Sequence, residues 1–240
     1  MALTLPQHFS FSRLDTLILR GGLGAGSIQT SSDTCTIYCN KDLKIPPPEI
    51  VNIGQIRTIK FAFCPNLDLA QTFLMLGDMP NLKKVQFNSC NIIQLPPEIW
   101  ALYRLRILEF VNEGYLDNNE FVTFPAEISQ IEQLKELSLS GNRHFQGFPS
   151  EIARLKKLTS INLRGFHSLP VNLGLVSNLE HLYLVFSGIV PSQIEPLIDR
   201  PNALKSVTVG EDYFTAFKKL TVKYPSFSVG WEQTSMRGNY

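Results

Sequence analysis

The sequence holds 240 residues, 44% of them hydrophobic and 18% charged, so it is long enough for one domain or two small ones and rich enough in apolar side chains to bury a core. Lysine and arginine number 22 against 21 aspartates and glutamates, a formal charge of +1, which excludes a global basic field for nucleic acid but leaves room for a local patch. No uncharged apolar run approaches the ~18–20 residues of a membrane span, and the opening Met1-Ala-Leu-Thr-Leu-Pro-Gln-His has neither the basic nor the apolar stretch of a signal peptide, so no membrane association and a cytoplasmic location are expected.

Residues 1–13, with Leu3, Leu5, Phe9 and Phe11, read as an N-terminal cap. From Leu14 a Leu-x-x-Leu-x-Leu frame recurs through residue 210. Two degenerate copies start at Leu14 (then Leu17, Leu19) and near Ser32 (then Cys35, Ile37). Regular copies start at Ile56, Leu82, Leu105, Leu134, Leu158, Leu179 and Leu204, giving about nine in all. An apolar-Pro step recurs between them at Pro46, Pro96, Pro125, Pro149, Pro170 and Pro191. From Pro96, Pro125, Pro149 and Pro170 the next copy starts nine residues on, with an apolar pair such as Ile128 and Ile131 in between. Two independent anchors in phase define a repeat.

The end of each Leu block alternates inward and outward as a short strand does, and identical strands stacked in parallel form a ladder about 4.8 Å per rung. Leu137 and Leu139 are therefore expected to be buried and Ser138 to face outward. The Pro-x-x-Ile-x-x-Leu segments have three-residue spacing, which suits a short helix or 3₁₀ turn on the other side. That side is the wider one, so the stack curves. Residues 211–240 read as a C-terminal cap, with a helical spacing over Tyr213–Leu220, a last strand over Phe227–Trp231 and a loose tail from Glu232. The chain is expected to be a single domain over 1–240.

This pattern resembles the leucine-rich repeat family. Leu-Pro-Pro-Glu-Ile99, Phe-Pro-Ala-Glu-Ile128 and Phe-Pro-Ser-Glu-Ile152 are similar to its short class, LxxLxLxxNxLxxLPxxIxxLxx, found in intracellular Ras-suppressor-like and bacterial proteins. The resemblance implies an α/β solenoid, a curved horseshoe with one parallel sheet on its concave face, and a non-enzymatic protein-binding role as a scaffold. It also implies that the ninth position holds an asparagine bonded to neighbouring loops. Only Asn40 and Asn142 keep it; Cys64, Cys90, Glu113, Phe166, Ser187 and Asp212 replace it. The copy from Leu105 is long, and Glu113-Gly-Tyr-Leu-Asp-Asn-Asn-Glu120 reads as a polar insertion that is either a tolerated surface loop or a partner contact.

Nothing in the sequence assembles a catalytic centre. Gly21-Gly-Leu-Gly-Ala-Gly26-Ser departs from GxGxxG at Ser27 and lacks the Lys-Ser/Thr of a phosphate loop. There is no GxSxG, HExxH or CxxC, so no catalytic residue, cofactor or metal site is expected. The four cysteines, Cys35, Cys39, Cys64 and Cys90, are too sparse for a disulfide scaffold and read as free thiols, with a Cys64–Cys90 bond as the alternative.

Function is expected on the outward strand positions. Copies three and four present Arg57, Lys60, Phe63, Lys83, Lys84 and Gln86; copy five, Arg106 and Glu109; copies six and seven, Lys135, Asn162 and Arg164; copy eight, His181, Tyr183 and Phe186. A basic first half followed by an aromatic patch is an interface composition. The expected partner is a protein with an acidic surface, bound by a monomer, with no nucleic acid; a ligand or glycan receptor, or an intracellular effector or signalling regulator, is the alternative.

Overall fold

A computed structural model describes residues 16–19, 26–39, 43–112, 119–200 and 204–233. The expected N-terminal cap at 1–13, most of the glycine-rich stretch at 21–26, Asn40, the bulk of the 113–120 insertion and the tail beyond 233 lie outside them. Eleven strands form one sheet in sequence order: β1 (Thr16–Leu19), β2 (Gly26–Ser31), β3 (Thr34–Tyr38), β4 (Thr58–Ala62), β5 (Lys84–Asn88), β6 (Ile107–Val111), β7 (Glu136–Ser138), β8 (Ser160–Asn162), β9 (His181–Leu184), β10 (Ser206–Gly210) and β11 (Ser228–Glu232). Each pairing from β3 to β11 is parallel and in frame, so Cys35, Ile59, Val85, Leu108, Leu137, Ile161, Leu182 and Val207 form one row.

The return side is built from short segments, as the three-residue spacing predicts. Five 3₁₀ turns cover Pro48–Asn52, Pro97–Leu102, Ala126–Gln130, Ser150–Arg154 and Leu173–Leu175. The proline before or at the start of each lends its carbonyl: Ile99, Ile128, Ile152 and Leu173 donate to Pro96, Pro125, Pro149 and Pro170. Proline gives up no useful donor there, because the first N–H groups of a helix have no partner. Two copies use an α-helix instead, α1 (Leu69–Gly77) and α2 (Pro191–Ile198). Asp68 caps α1 by accepting from the Gln71 N–H at 3.0 Å, and Phe73 and Leu76 sit on its buried face. The final return is α3 (Glu211–Lys218) and α4 (Leu220–Lys223), which lead into β11; Glu232, expected to begin the loose tail, is the last residue of that strand because it pairs with Gly210 of β10.

The core is continuous through the stack. Leu137 and Leu139 are buried. Ser138 faces the concave side yet is only 9% exposed. Phe87 stacks on Phe61 and on Phe110 at centroid distances of 5.1 and 5.4 Å, and Phe121, Phe124, Phe145 and Phe148 continue the file edge to face.

The structure corrects the frame at three places. The first is the N-terminal end: β1 and β2 run antiparallel to their neighbours, so the copy at Leu14 is not a rung of the parallel ladder. Only Ser32 and Asp33 separate β2 from β3, and two residues make a hairpin, whereas a parallel crossover needs about a dozen.

The second is the ninth position of the long copy, which Asn119 fills in place of Glu113. Its Nδ2 donates to the carbonyls of Phe87 and Val111 at 3.1 and 3.3 Å, just as Asn142 donates to Phe110 and Ser140 at 2.9 and 3.4 Å. The six residues 113–118 are thus inserted between the eighth and ninth positions. Their root is closed by Asn112, whose Oδ1 accepts from the Asn119 N–H at 2.8 Å and whose Nδ2 donates to the Asn119 carbonyl at 3.1 Å.

The third concerns the thiols. Cys39 and Cys64 form a disulfide with their Cα atoms 4.8 Å apart, while Cys35 and Cys90 stay free and buried. The Cys39 N–H donates to the Ala62 carbonyl, which sets the eighth position of one copy beside the ninth of the next. Cys90 keeps a ladder role instead, with its Sγ 3.5 Å from the Phe61 carbonyl oxygen and 3.3 Å from that of Asn88. Burial pushes both free thiols up to about 12, so neither is a nucleophile at neutral pH. Alkylation of the denatured protein without reductant is expected to add two labels, and four after reduction. Four labels without reductant would remove the bond.

Candidate functional site

The concave face is organised in rows across the strands. At the start of the strands each second-position carbonyl accepts two N–H groups from the next rung. The Arg57 carbonyl takes those of Lys83 and Lys84, the Lys83 carbonyl those of Arg106 and Ile107, and the Arg106 carbonyl those of Lys135 and Glu136, all within 2.8–3.1 Å. This pins Arg57, Lys83, Arg106 and Lys135 on successive rungs about 4.8 Å apart. Among the described residues no carboxylate pairs with these four or with Lys60. Lys84 differs: its Nζ bonds Glu109 Oε1 at 2.8 Å, and both side chains are largely covered. The sequence places Lys84 in the basic cluster and Glu109 on the next copy, and the structure pairs the two.

The far end of the sheet is tied together rather than open. The Arg164 guanidinium lies 4.5 Å from the centroid of the Phe186 ring and bonds Glu232 of β11 at 3.1 Å. Lys205 bonds Glu180 at 2.6 Å, and His181 Nδ1 lies 2.6 Å from Ser206 Oγ with Glu180 3.7 Å from its Nε2. A serine, a histidine and an acid thus stand in line, but the acid is committed to Lys205, and the set reads as a cross-strand brace. Asn162 Oδ1 accepts the Arg164 N–H at 2.9 Å. Gln86 is half-buried on β5, beside Lys60 and Glu109 in the fifth-position row.

The eighth-position row carries the most informative backbone. Phe63, Ser89, Gly141, Gly165 and Phe186 all have positive φ, at 56°, 50°, 78°, 82° and 55°. Gly141 also lacks room for a side chain, since a Cβ there would stand 2.9 Å from Asn112 Cβ. Two copies therefore use the residue this conformation favours, and two hold a phenylalanine in it. Phe63 is 48% exposed and Phe186 43%. Phe63 on the β4 copy and Phe186 on the β9 copy stand five rungs apart. Tyr183, in the fifth-position row, is exposed on the same copy as Phe186, whereas Tyr38 of β3 and Trp231 of β11 are exposed aromatics not expected on the binding face.

Trp231 pairs with Val209 and so occupies a core row, yet it is 53% exposed because no further rung covers it among the described residues. No helix among the described residues is long and apolar enough to cross a membrane, and no group of three or more His, Cys, Asp or Glu side chains there is placed to hold a metal.

Comparison with known proteins agrees with this architecture. A sequence-family model described as Leucine Rich Repeat matches residues 133–155. A leucine-rich repeat protein of Leptospira interrogans is similar in structure, with a TM-score of 0.52 and 21% identity over 80% of this chain and 47% of that one. An internalin of Listeria monocytogenes has a TM-score of 0.49 and 16% identity over 85% of this chain and 54% of its own. The chain spans about half the length of these two structures. No curated protein matches the sequence.

Proposed function

We propose that this chain, a leucine-rich repeat protein, is a non-enzymatic binding module whose concave sheet docks a protein partner. The observation that supports it most directly is the pair of exposed phenylalanines, Phe63 and Phe186, held at left-handed φ where sister copies carry glycine. A non-glycine residue there costs roughly 1–2 kcal/mol, and such strain concentrates at binding and catalytic sites. Each ring is a ready anchor, and aromatic anchors dominate interface energies.

The file Arg57, Lys83, Arg106 and Lys135, with Lys60 beside it, is the complement of an acidic patch on that partner. Exposed cations at a rim act mainly on the rate of encounter. In this reading the module acts as a monomer, and it acts as one unit because one core cluster runs from Ile28 to Phe227. The Cys39–Cys64 bond favours an oxidising compartment over the cytoplasmic location expected from the sequence, because cytosolic buffers keep such pairs reduced.

The test is capture of the partner from native extract, followed by binding kinetics. Arg57→Glu combined with Arg106→Glu is expected to slow association roughly tenfold at low salt, to flatten its salt dependence and to leave dissociation nearly unchanged. Association like wild type in this variant would sink the acidic-partner reading.

A further inference from the structure

The middle of the concave sheet is hollow. Rungs β7 and β8 carry Ser138, Ser160 and Asn162 where earlier rungs carry lysine and glutamate, and a depression of about 370 Å³ opens above them. Ile107 and Glu109 of β6 wall one side, and His181 and Tyr183 of β9 wall the other. The walls stand three rungs apart, ~14 Å at ~4.8 Å per rung. The volume lies within the range of small-molecule sites, roughly 300–1,000 Å³.

The polar groups in the depression fall into an unusual balance. Asn162 spends its Oδ1 on the Arg164 N–H, which leaves its Nδ2 as a donor without a partner among the described residues. Among the described residues neither Glu136 nor Lys135 forms an ion pair, so the exposed Glu136 is an acceptor only and Lys135 a donor only. The hydroxyls of Ser138, Ser160 and Tyr183 do both.

An anion entering here meets Glu136, and Glu109 only as the neutralised half of its pair with Lys84. A guanidinium or ammonium group donates only, so it leaves the Asn162 amide unpaired and approaches Lys135. An apolar group leaves every one of these polar atoms stranded, which is costly. A neutral ring bearing several hydroxyls both donates and accepts and matches them all, and its C–H face can lie on the Tyr183 ring, 42% exposed at the wall.

We propose that the depression over β7 and β8 binds a neutral sugar ring, held by Asn162, Glu136 and the two serines and stacked on Tyr183. The proposal does not rest on the protein-docking reading, whose anchors lie along the eighth-position row.

The probes are glucose, galactose, mannose, N-acetylglucosamine and their short oligomers, with inorganic phosphate and N-acetylarginine amide as the anionic and cationic rivals. Calorimetry and saturation-transfer NMR on the full chain are expected to show one saccharide saturating a single site at millimolar concentration or below, with the Tyr183 ring resonances shifting. Asn162→Asp keeps the acceptor that the Arg164 N–H needs and removes the free donor; it is expected to weaken saccharide binding at least tenfold with an unchanged melting temperature. Glu136→Gln is expected to do the same, and Val222→Ala, at an exposed position of α4, to leave it untouched.

Saturation by none of the saccharides, saturation that survives Asn162→Asp and Glu136→Gln, or binding of phosphate or the arginine amide in their place each overturns the proposal. None of these results bears on whether a protein docks at the rim, since that is read from partner kinetics.

Discussion

Replacing Asn119 by alanine is expected to lower the stability of the fold by ~4 kcal/mol or more. The side chain is 1% exposed and serves four backbone groups at once. It donates to the carbonyls of Phe87 and Val111 and accepts from the N–H groups of Cys90 and Ile92 at 3.2 and 3.3 Å. Each buried group left unpaired costs ~1–3 kcal/mol, and relaxation recovers only part of the total. At ~2–4 °C per kcal/mol for a chain of this size, the melting temperature should fall by ~8–16 °C. Thermal and urea unfolding monitored by circular dichroism would check it. A variant that melts within a degree or two of wild type would show that Asn119 does not hold the ninth position.

The second large effect separates stability from binding. Phe63→Gly and Phe186→Gly each relieve the left-handed strain, worth ~1–2 kcal/mol, and each gives back ~0.5–1 kcal/mol in backbone entropy. Phe186 also loses the Arg164 contact, ~0.5–1 kcal/mol at an exposed site. Stability should therefore stay within ~1 kcal/mol of wild type. Dissociation of the captured partner should accelerate about tenfold or more, the consequence of losing a >1.4 kcal/mol anchor.

Alanine at the same positions removes the ring but keeps the strain. It should bind as weakly as glycine and be less stable than it by ~1 kcal/mol. That order, with both variants weak and glycine the more stable, is the signature of a residue retained for contact. Partner dissociation at the wild-type rate in both glycine variants would reject the anchors.

What the sequence made legible follows from which signals are local. The inward rows were readable because Leu-x-x-Leu-x-Leu has the period of a strand and Pro-x-x-Ile-x-x-Leu that of a tight helix, and each copy repeats both. The cation file was readable for the same reason: Arg57, Lys83, Arg106 and Lys135 share one frame position.

Counting forward from Leu105 put Glu113 at the ninth position because an insertion breaks the count. Counting backward from the proline recovers Asn119, six residues before Pro125 as Cys90 is six before Pro96. The left-handed phenylalanines were also within reach, since the frame aligns Phe63 and Phe186 with Gly141 and Gly165. The hairpin at Ser32-Asp33 was overridden by the frame, although two residues cannot make a parallel crossover. The Cys39–Cys64 bond and the Lys84–Glu109 pair were beyond the sequence: each joins different positions of adjacent copies, and side-chain direction decides such a meeting.

The same bond gives the stack a direction in which it comes apart. A linear array of repeats holds each unit only through its two neighbours, so opening starts at an end and runs inward like a zipper. One end is stitched: the hairpin folds back on β3, and the Cys39–Cys64 bond keeps β3's copy tethered to β4's after its contacts let go. At β11, the last of the described rungs, Trp231 is half bare in what would be a core row. Opening that travels from β11 toward β4 therefore meets a bond it cannot break, so the copies of β3 and β4 are the last to part. The Arg164–Glu232 pair, which reaches from the β8 copy to β11, resists its first step together with the Phe214–Trp231 ring contact.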